Sequence, residues 1–116
     1  MNRILIIGCG LIGSSVLRTV YKKKIARKIF ILEKSKNNIS KIKRLNLKCQ
    51  VLKDFKNEVP KMDMIIFCTH LSNYEQALKK INKFLNRKTV ITDVGSTKNL
   101  ILKKIKRKLK KGVFWT

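Results

Sequence analysis

The sequence predicts an α/β fold: a single domain built on a doubly wound parallel sheet. Three observations support this prediction. Short apolar runs recur along all 116 residues, helical patterns separate them, and a glycine-rich turn directly follows the first run. Strands that alternate with helices fold with right-handed crossovers, which places helices on both faces of a parallel sheet. Hydrophobic residues make up 44% of the chain, which is enough for a substantial core.

The first half of the chain supplies three predicted strands and two predicted helices. The apolar runs Arg3–Ile7 and Lys28–Leu32 predict strands buried on both faces, and residues 49–52 predict a brief third strand. Helices are predicted over residues 11–23 and around residue 42, because apolar residues recur there at helical spacing. These residues are Ile12, Val16, Leu17 and Val20 in the first helix and Ile39, Ile42 and Leu45 in the second.

The second half continues the alternation with strands predicted at residues 64–68 and 89–94 and a sixth beginning at 113–115. Ser72 and Glu75 have the spacing of a capping box, which predicts the start of a helix. A last helix is predicted to end at Gly112. The inward residues are Tyr74, Ala77, Leu78, Ile81, Phe84 and Leu85 in the earlier helix and Ile101, Leu102, Ile105 and Leu109 in the last.

The turn after the first strand has the pattern GCGLIG, with a strand before it and a helix after it. Gly8 allows the tight turn, Gly10 lets the backbone approach a pyrophosphate, and Gly13 lets the helix pack closely. The free N–H groups and the positive dipole end of that helix favour an anion. The turn therefore predicts a dinucleotide site that includes Cys9, Leu11 and Ile12. The alternative is that the glycines serve packing alone.

Glu33 ends the second predicted strand, at the edge where ligands bind in this kind of sheet. An acid there accepts hydrogen bonds from the adenosine ribose and repels a 2′-phosphate, which favours NAD over NADP. Lys34 and Lys36 follow it and weaken that preference, so NADP stays possible. The alternative interpretation of Glu33 is a solvent-exposed strand end.

Two later turns reach the same edge. Thr69 and His70 follow the fourth strand, beside the expected cofactor path. His70 is the single histidine; it could accept a proton near a nicotinamide, but no neighbouring acid orients it, so a polar loop residue is the simpler interpretation. Asp93 and Gly95 follow the fifth strand and are predicted to contact the cofactor. Ser96 is predicted to cap the last helix and to contact a substrate oxygen.

Composition narrows the class of protein. The formal net charge is +23, but lysine dominates over arginine and is scattered, which predicts a solvated surface with only non-specific adhesion to polyanions at low salt. Cys9, Cys49 and Cys68 form neither a CxxC pair nor a zinc pattern, so we expect reduced thiols and no metal. The chain shows no membrane-spanning run and no signal peptide, so we expect a cytoplasmic protein.

Three segments together, GCGLIGSS, FCTHL and ITDVGSTK, resemble the prephenate dehydrogenase family of tyrosine biosynthesis. The resemblance covers essentially the whole chain as that family's N-terminal Rossmann-type nucleotide-binding domain. It implies NAD(P)-dependent oxidative decarboxylation of prephenate to 4-hydroxyphenylpyruvate, with Ser96 near the substrate hydroxyl and the catalytic histidine. Arogenate dehydrogenase shares these motifs and stays open, as does another Rossmann oxidoreductase. An alternative of a different class is a non-catalytic nucleotide- or polyanion-binding module.

The sequence departs from the family pattern in two places. His70 stands where the family commonly has proline, which affects only the local loop. The family's catalytic histidine would fall beyond Thr116, as would the helical C-terminal domain with its substrate-binding arginine and homodimer interface. The chain also ends on Val113-Phe-Trp-Thr116, in an apolar strand whose side chains we expect to lack partners. The expectation is therefore a cofactor-binding fragment without its general base.

Overall fold

The computed structural model describes residues 1–94 and 100–116. The described residues form a six-stranded, all-parallel sheet flanked by five α-helices. The strands are β1 (Arg3–Ile7), β2 (Lys28–Leu32), β3 (Gln50–Val51), β4 (Met64–Phe67), β5 (Val90–Asp93) and β6 (Phe114–Trp115). The helices are α1 (Leu11–Lys22), α2 (Lys36–Arg44), α3 (Phe55–Glu58), α4 (Tyr74–Ile81) and α5 (Leu100–Arg107). The predicted fold class is confirmed.

The strands lie in the order β3-β2-β1-β4-β5-β6, so the chain starts at the centre and builds outward first to one side and then to the other. Their register brings the carboxyl ends level. Ile7 pairs with both Leu32 and Phe67, and Phe67 pairs with Asp93. The turns that follow β1, β2, β4 and β5 therefore start from one edge of the sheet. The strand order reverses between β1 and β4, and ligands bind at such a point in sheets of this type.

Both faces of the sheet are covered, which explains why its strands read as continuous apolar runs. Side chains alternate between two core clusters. Ile4 and Ile6 pack on the side of Leu17, Val20 and Ile42 from α1 and α2. The other cluster, on the side of α4 and α5, contains Leu5, Ile7, Phe67, Tyr74, Leu78, Ile81, Leu102 and Ile105.

The first turns of α1 and α5 differ from the expected inward faces. Ile12 is 55% exposed and Ile101 is 59% exposed. Ile12 is the second residue of α1, which follows the carboxyl end of β1, so it lies at the edge of the sheet rather than over it. Gly13 takes the inward position of α1 that periodicity assigned to Ile12.

The last helix also ends earlier than predicted, at Arg107 rather than before Gly112. Asn82, just after α4, accounts for this. Its amide donates to the carbonyl of Lys108 at 2.9 Å and accepts from the N–H of Lys110 at 2.7 Å. Backbone groups that would continue the helix are therefore bound by a side chain. Gly112, with φ +85°, forms the turn into β6.

The predicted capping box is wrong. Ser72 lies in a 3₁₀ turn, Leu71–Asn73, and α4 starts at Tyr74 without a side-chain cap. The Glu75 carboxylate pairs with Lys108 instead. A distant cation thus replaces the local N–H as the partner of this carboxylate.

The end of the chain is better packed than expected. β6 pairs in parallel with β5, placing Trp115 beside Ile91. The Trp115 ring stacks on Phe67 with centroids 4.9 Å apart, and its indole N–H donates to Asp93 Oδ2 at 2.9 Å. Phe114 matches the expectation of an unpartnered side chain, since it is 63% exposed, but Trp115 does not. In the described ranges, none of the helices has the length and apolar character needed to cross a bilayer.

Candidate functional site

A cleft of about 820 Å³ opens at the carboxyl edge of the sheet, beside the point where the strand order reverses. That volume lies in the range typical of small-molecule and cofactor sites. The cleft brings together residues from the turns after β1, β2 and β4. Eight of the sequence-predicted site residues line it: Gly8, Gly10, Leu11, Ile12, Glu33, Lys34, Thr69 and His70.

Two of the glycines in the turn are required by the fold itself. Gly8 has φ +86°, and a Cβ there would lie 2.6 Å from the Cβ of Thr69. At Gly13 a Cβ would lie 1.9 Å from the carbonyl oxygen of Gly8, closer than atoms can approach. α1 therefore sits against the end of β1 only because position 13 has no side chain.

Gly10 is different, because the protein around it leaves room for a side chain. Its φ is −73°, and the nearest atom to a Cβ built there is Asn38 Nδ2, 4.0 Å away. Packing therefore does not explain a glycine here. Gly10 lines the cleft, so the missing side chain leaves its backbone open to this space.

The start of α1 points free donors at the same place. Gly10 is the N-cap, and the first bond of the helix runs from the N–H of Ser14 to the Gly10 carbonyl at 3.0 Å. The N–H groups of Leu11, Ile12 and Gly13 therefore have no partner within the helix. The first turn carries no acidic side chain. Such an end favours an anion.

Glu33 lies against this loop and accepts hydrogen bonds from three donors. Its Oε1 accepts from the main-chain N–H of Cys9 at 2.7 Å and from Asn38 Nδ2 at 3.1 Å. Its Oε2 accepts from the N–H of Ser35 at 2.9 Å. Burial raises the pKa of this carboxyl, but the hydrogen bonds from Ser35, Cys9 and Asn38 outweigh burial and hold the pKa below its ordinary value. Glu33 is thus a fixed carboxylate tied to the glycine turn.

Ser35 and Asn38 also line the cleft, although the sequence patterns did not indicate them as site residues. Ser35 caps α2, its hydroxyl oxygen accepting from the N–H of Asn38 at 3.3 Å. A serine directly in front of a helical pattern is a local signal that could have indicated this cap.

Lys34 and the β4 turn form the remaining walls. The Lys34 ammonium contacts Gln76 Oε1 on α4, so this cation reaches toward the opposite wall of the cleft. Thr69 packs against Gly8 and accepts a 3.4 Å hydrogen bond from Asn73. His70 is exposed at the start of the 3₁₀ turn, and the described part of the chain gives its imidazole no carboxylate partner.

The other sequence-predicted residues are placed differently. Cys9 is 2% exposed and contributes only its N–H; burial raises the pKa of its thiol to about 12. Cys68 is also buried, and burial raises its pKa to about 11. All three thiols are free.

In the turn after β5, Asp93 binds the Trp115 indole, and its neighbour Val94 lines the cleft. Gly95 and Ser96 lie outside the described residues, and within those residues no His, Cys, Asp and Glu cluster suits a metal.

The chain matches a known protein family and shares its fold with solved structures. A family model described as the nucleotide-binding domain of prephenate dehydrogenase matches residues 17–114. That range starts after the glycine turn, so the interpretation of the turn depends on its own geometry.

Solved structures share the fold. Prephenate dehydrogenase from A. aeolicus, in complex with hydroxyphenyl propionate and NAD+, is 23% identical with a TM-score of 0.80, covering 97% of this chain and 40% of that one. Synechocystis arogenate dehydrogenase is 22% identical with a TM-score of 0.73, covering 97% and 39%. An imine reductase from Myxococcus stipitatus, in complex with NADP+, is 14% identical with a TM-score of 0.76, covering 97% and 39%. The chain thus spans about two fifths of these proteins.

Replacing each of the three glycines by alanine should lower the free energy of unfolding by different amounts. We expect Gly13→Ala to lower the free energy of unfolding by roughly 3 kcal/mol or more, because its Cβ would overlap the Gly8 carbonyl. Gly8→Ala should also be strongly destabilising, because of its positive φ and its contact with Thr69. Gly10→Ala should cost no more than about 1 kcal/mol, the difference between the two residues at an N-cap. Urea unfolding measures all three, and equal losses would contradict this division of roles.

The Glu33 carboxylate should make stability depend on pH. Because its pKa is lowered in the folded chain, the unfolded chain takes up the proton first as the pH falls. The stabilisation is therefore complete above the ordinary value of 4.5 and declines below it. The unfolding free energy of wild type should exceed that of Glu33→Gln more at about pH 7 than at about pH 3. A difference that stays constant over this range would show that the carboxylate charge has no part in holding the turn.

Proposed function

Since this chain belongs to the family of prephenate dehydrogenase nucleotide-binding domains, we propose that its cleft binds NAD as the cofactor site of an oxidoreductase acting on prephenate. Related folds include NAD(P)-dependent oxidoreductases crystallised with NAD+ and with NADP+. The observation that best supports the proposal is Gly10, the glycine that packing does not require. A bound diphosphate explains its missing side chain.

Different residues of the cleft would bind different parts of the nucleotide. The N–H groups at the start of α1 would bind the diphosphate, where Gly10 gives access. Glu33 would accept a hydrogen bond from the adenosine ribose. Leu11 and Ile12, which are 92% and 55% exposed at the cleft, would provide apolar contact. When bound, the nicotinamide supplies the acceptor for a hydride.

The arrangement favours NAD over NADP. A 2′-phosphate placed near Glu33 would meet an ionised carboxylate, which repels it. The adjacent ammonium of Lys34 would attract that phosphate, which keeps NADP as a second ligand. We therefore propose NAD as the preferred cofactor, with NADP as a weaker ligand.

The reaction we propose for the enzyme is oxidative decarboxylation of prephenate to 4-hydroxyphenylpyruvate, with arogenate as the alternative substrate. His70 is a poor candidate for the general base, because the described residues give it no carboxylate to orient it. The whole domain, residues 1–116, would then act as the cofactor-binding part, with Ser96 contacting the substrate. We expect the chain by itself to bind NAD and to show negligible turnover of prephenate.

A second candidate function is that of a polyanion-binding module. The formal net charge is +23, and among the described residues only Arg3, Lys79 and Lys108 form ion pairs with carboxylates. The other basic side chains of the described residues are open to non-specific attraction. Such attraction weakens steeply with salt, whereas nucleotide binding in a formed cleft does not.

A titration on two ligands tests the proposal. Isothermal titration at physiological salt should give saturable one-site binding of NAD by wild type. In Gly10→Val the NAD affinity should fall ~100-fold or more, the value of two charge-assisted hydrogen bonds. Ser15→Val, on an exposed position of the same helix outside the cleft, should bind as wild type does. Duplex DNA should bind only at low salt. Undetectable NAD binding, or equal binding by Gly10→Val, would contradict the cofactor assignment; salt-resistant DNA binding would favour the module.

A further inference from the structure

We infer that Asn38 is a positioning residue of the nucleotide site, fixing the Glu33 carboxylate in the orientation that accepts the ribose. This inference rests on the proposed function, because it assigns a residue to the ribose-binding part of the same cleft. Asn38 was not among the residues that sequence motifs indicated.

The contact between the two side chains has a defined direction. Asn38 Nδ2 lies 3.1 Å from Glu33 Oε1. An ionised carboxylate can only accept hydrogen bonds, so the amide must present its nitrogen to Glu33. The same nitrogen is the nearest atom to the Cβ position at Gly10, at 4.0 Å. The amide therefore lies between the carboxylate and the open space above the glycine turn.

Asn38 is itself held in place by the start of α2. Its N–H donates to the Ser35 hydroxyl at 3.3 Å, and the Ser35 N–H donates to Glu33 Oε2 at 2.9 Å. Glu33, Ser35 and Asn38 thus form a closed ring of hydrogen bonds. Because the ring includes a helix N-cap, the amide position is set by the backbone rather than by a mobile side chain alone.

This ring decides which acceptor positions of Glu33 remain. Oε1 already accepts from both Cys9 and Asn38, whereas Oε2 accepts from Ser35. The remaining capacity lies mainly on Oε2, which can take a hydroxyl donor such as that of a ribose. Without the amide, Oε1 would keep a single partner, and the carboxylate could turn away from that orientation.

The chain offers a matched control for the same chemical group. Asn57 occupies the third position of α3, as Asn38 does in α2, and its amide donates to the Asp54 carboxylate at 2.8 Å. Asn57 does not line the cleft. Replacing either asparagine by alanine therefore removes one amide–carboxylate bond at the same helix position, but only one of the two lies at the proposed site.

The test is a double-mutant cycle read by isothermal titration with NAD. Asn38→Ala should weaken NAD binding roughly tenfold, the value of one hydrogen bond to a charged group. In a Glu33→Gln background the same substitution should have little further effect, because Asn38 acts through the carboxylate. Asn57→Ala should bind as wild type does. Asn38→Asp, which keeps the shape but faces Glu33 with a like charge, should weaken binding at least as much as Asn38→Ala.

The outcomes separate this inference from the proposed function. Wild-type NAD affinity in Asn38→Ala, or an equal loss in the Glu33→Gln background, would overturn the role of Asn38 while leaving the NAD site in place. A loss shared with Asn57→Ala would also overturn it, since that would reflect general loosening of the fold. Absence of NAD binding by wild type would overturn the proposed function, and the role of Asn38 with it.

Discussion

The close approach of α1 to the end of β1 is the constraint on which the rest of the site depends. A Cβ at Gly13 would lie 1.9 Å from the Gly8 carbonyl, so the helix reaches this position only without a side chain there. Gly8 in turn lies against Thr69 after β4. These contacts tie together three neighbouring segments at the edge where the strand order reverses. They leave the free N–H groups of α1 beside a cleft rather than against protein.

Glu33 connects this helix start to the neighbouring strand. Its carboxylate receives N–H groups from Cys9 in the glycine turn and from Ser35 in its own turn. The turns after β1 and β2 are therefore held together by one side chain. The glycine turn that would bind a diphosphate and the acid that would bind a ribose then keep a fixed relative position, which lowers the ordering cost of binding.

Much of the fold could be predicted from the sequence because strands buried on both faces leave a strong signal. Arg3–Ile7 and Lys28–Leu32 lie where the apolar runs predicted them. The errors arise where partners distant in sequence decide the outcome. Asn82 ends α5, and Lys108 takes the Glu75 carboxylate that local spacing assigned to a cap. Neither partner is visible in a local pattern.

The sequence likewise predicted some residues of the candidate site and not others. Backbone requirements leave glycines in the sequence, so Gly8, Gly10 and Gly13 could be identified together with the acid that follows β2. Asn38 could not, because its role comes from a ring of hydrogen bonds that forms only when α2 is capped by Ser35. For Asp93, the expectation of a ligand contact did not foresee a Trp115 partner supplied by the last strand.

The most direct measurement is the change in backbone amide resonances when NAD is added to the ¹⁵N-labelled chain. We expect the largest shifts at the amides of Leu11, Ile12 and Gly13, whose donors are free at the start of α1, with saturation at one nucleotide per chain. Unchanged amides at these three residues, with shifts spread over the lysine-rich outer surfaces of α4 and α5, would contradict a nucleotide site at this turn.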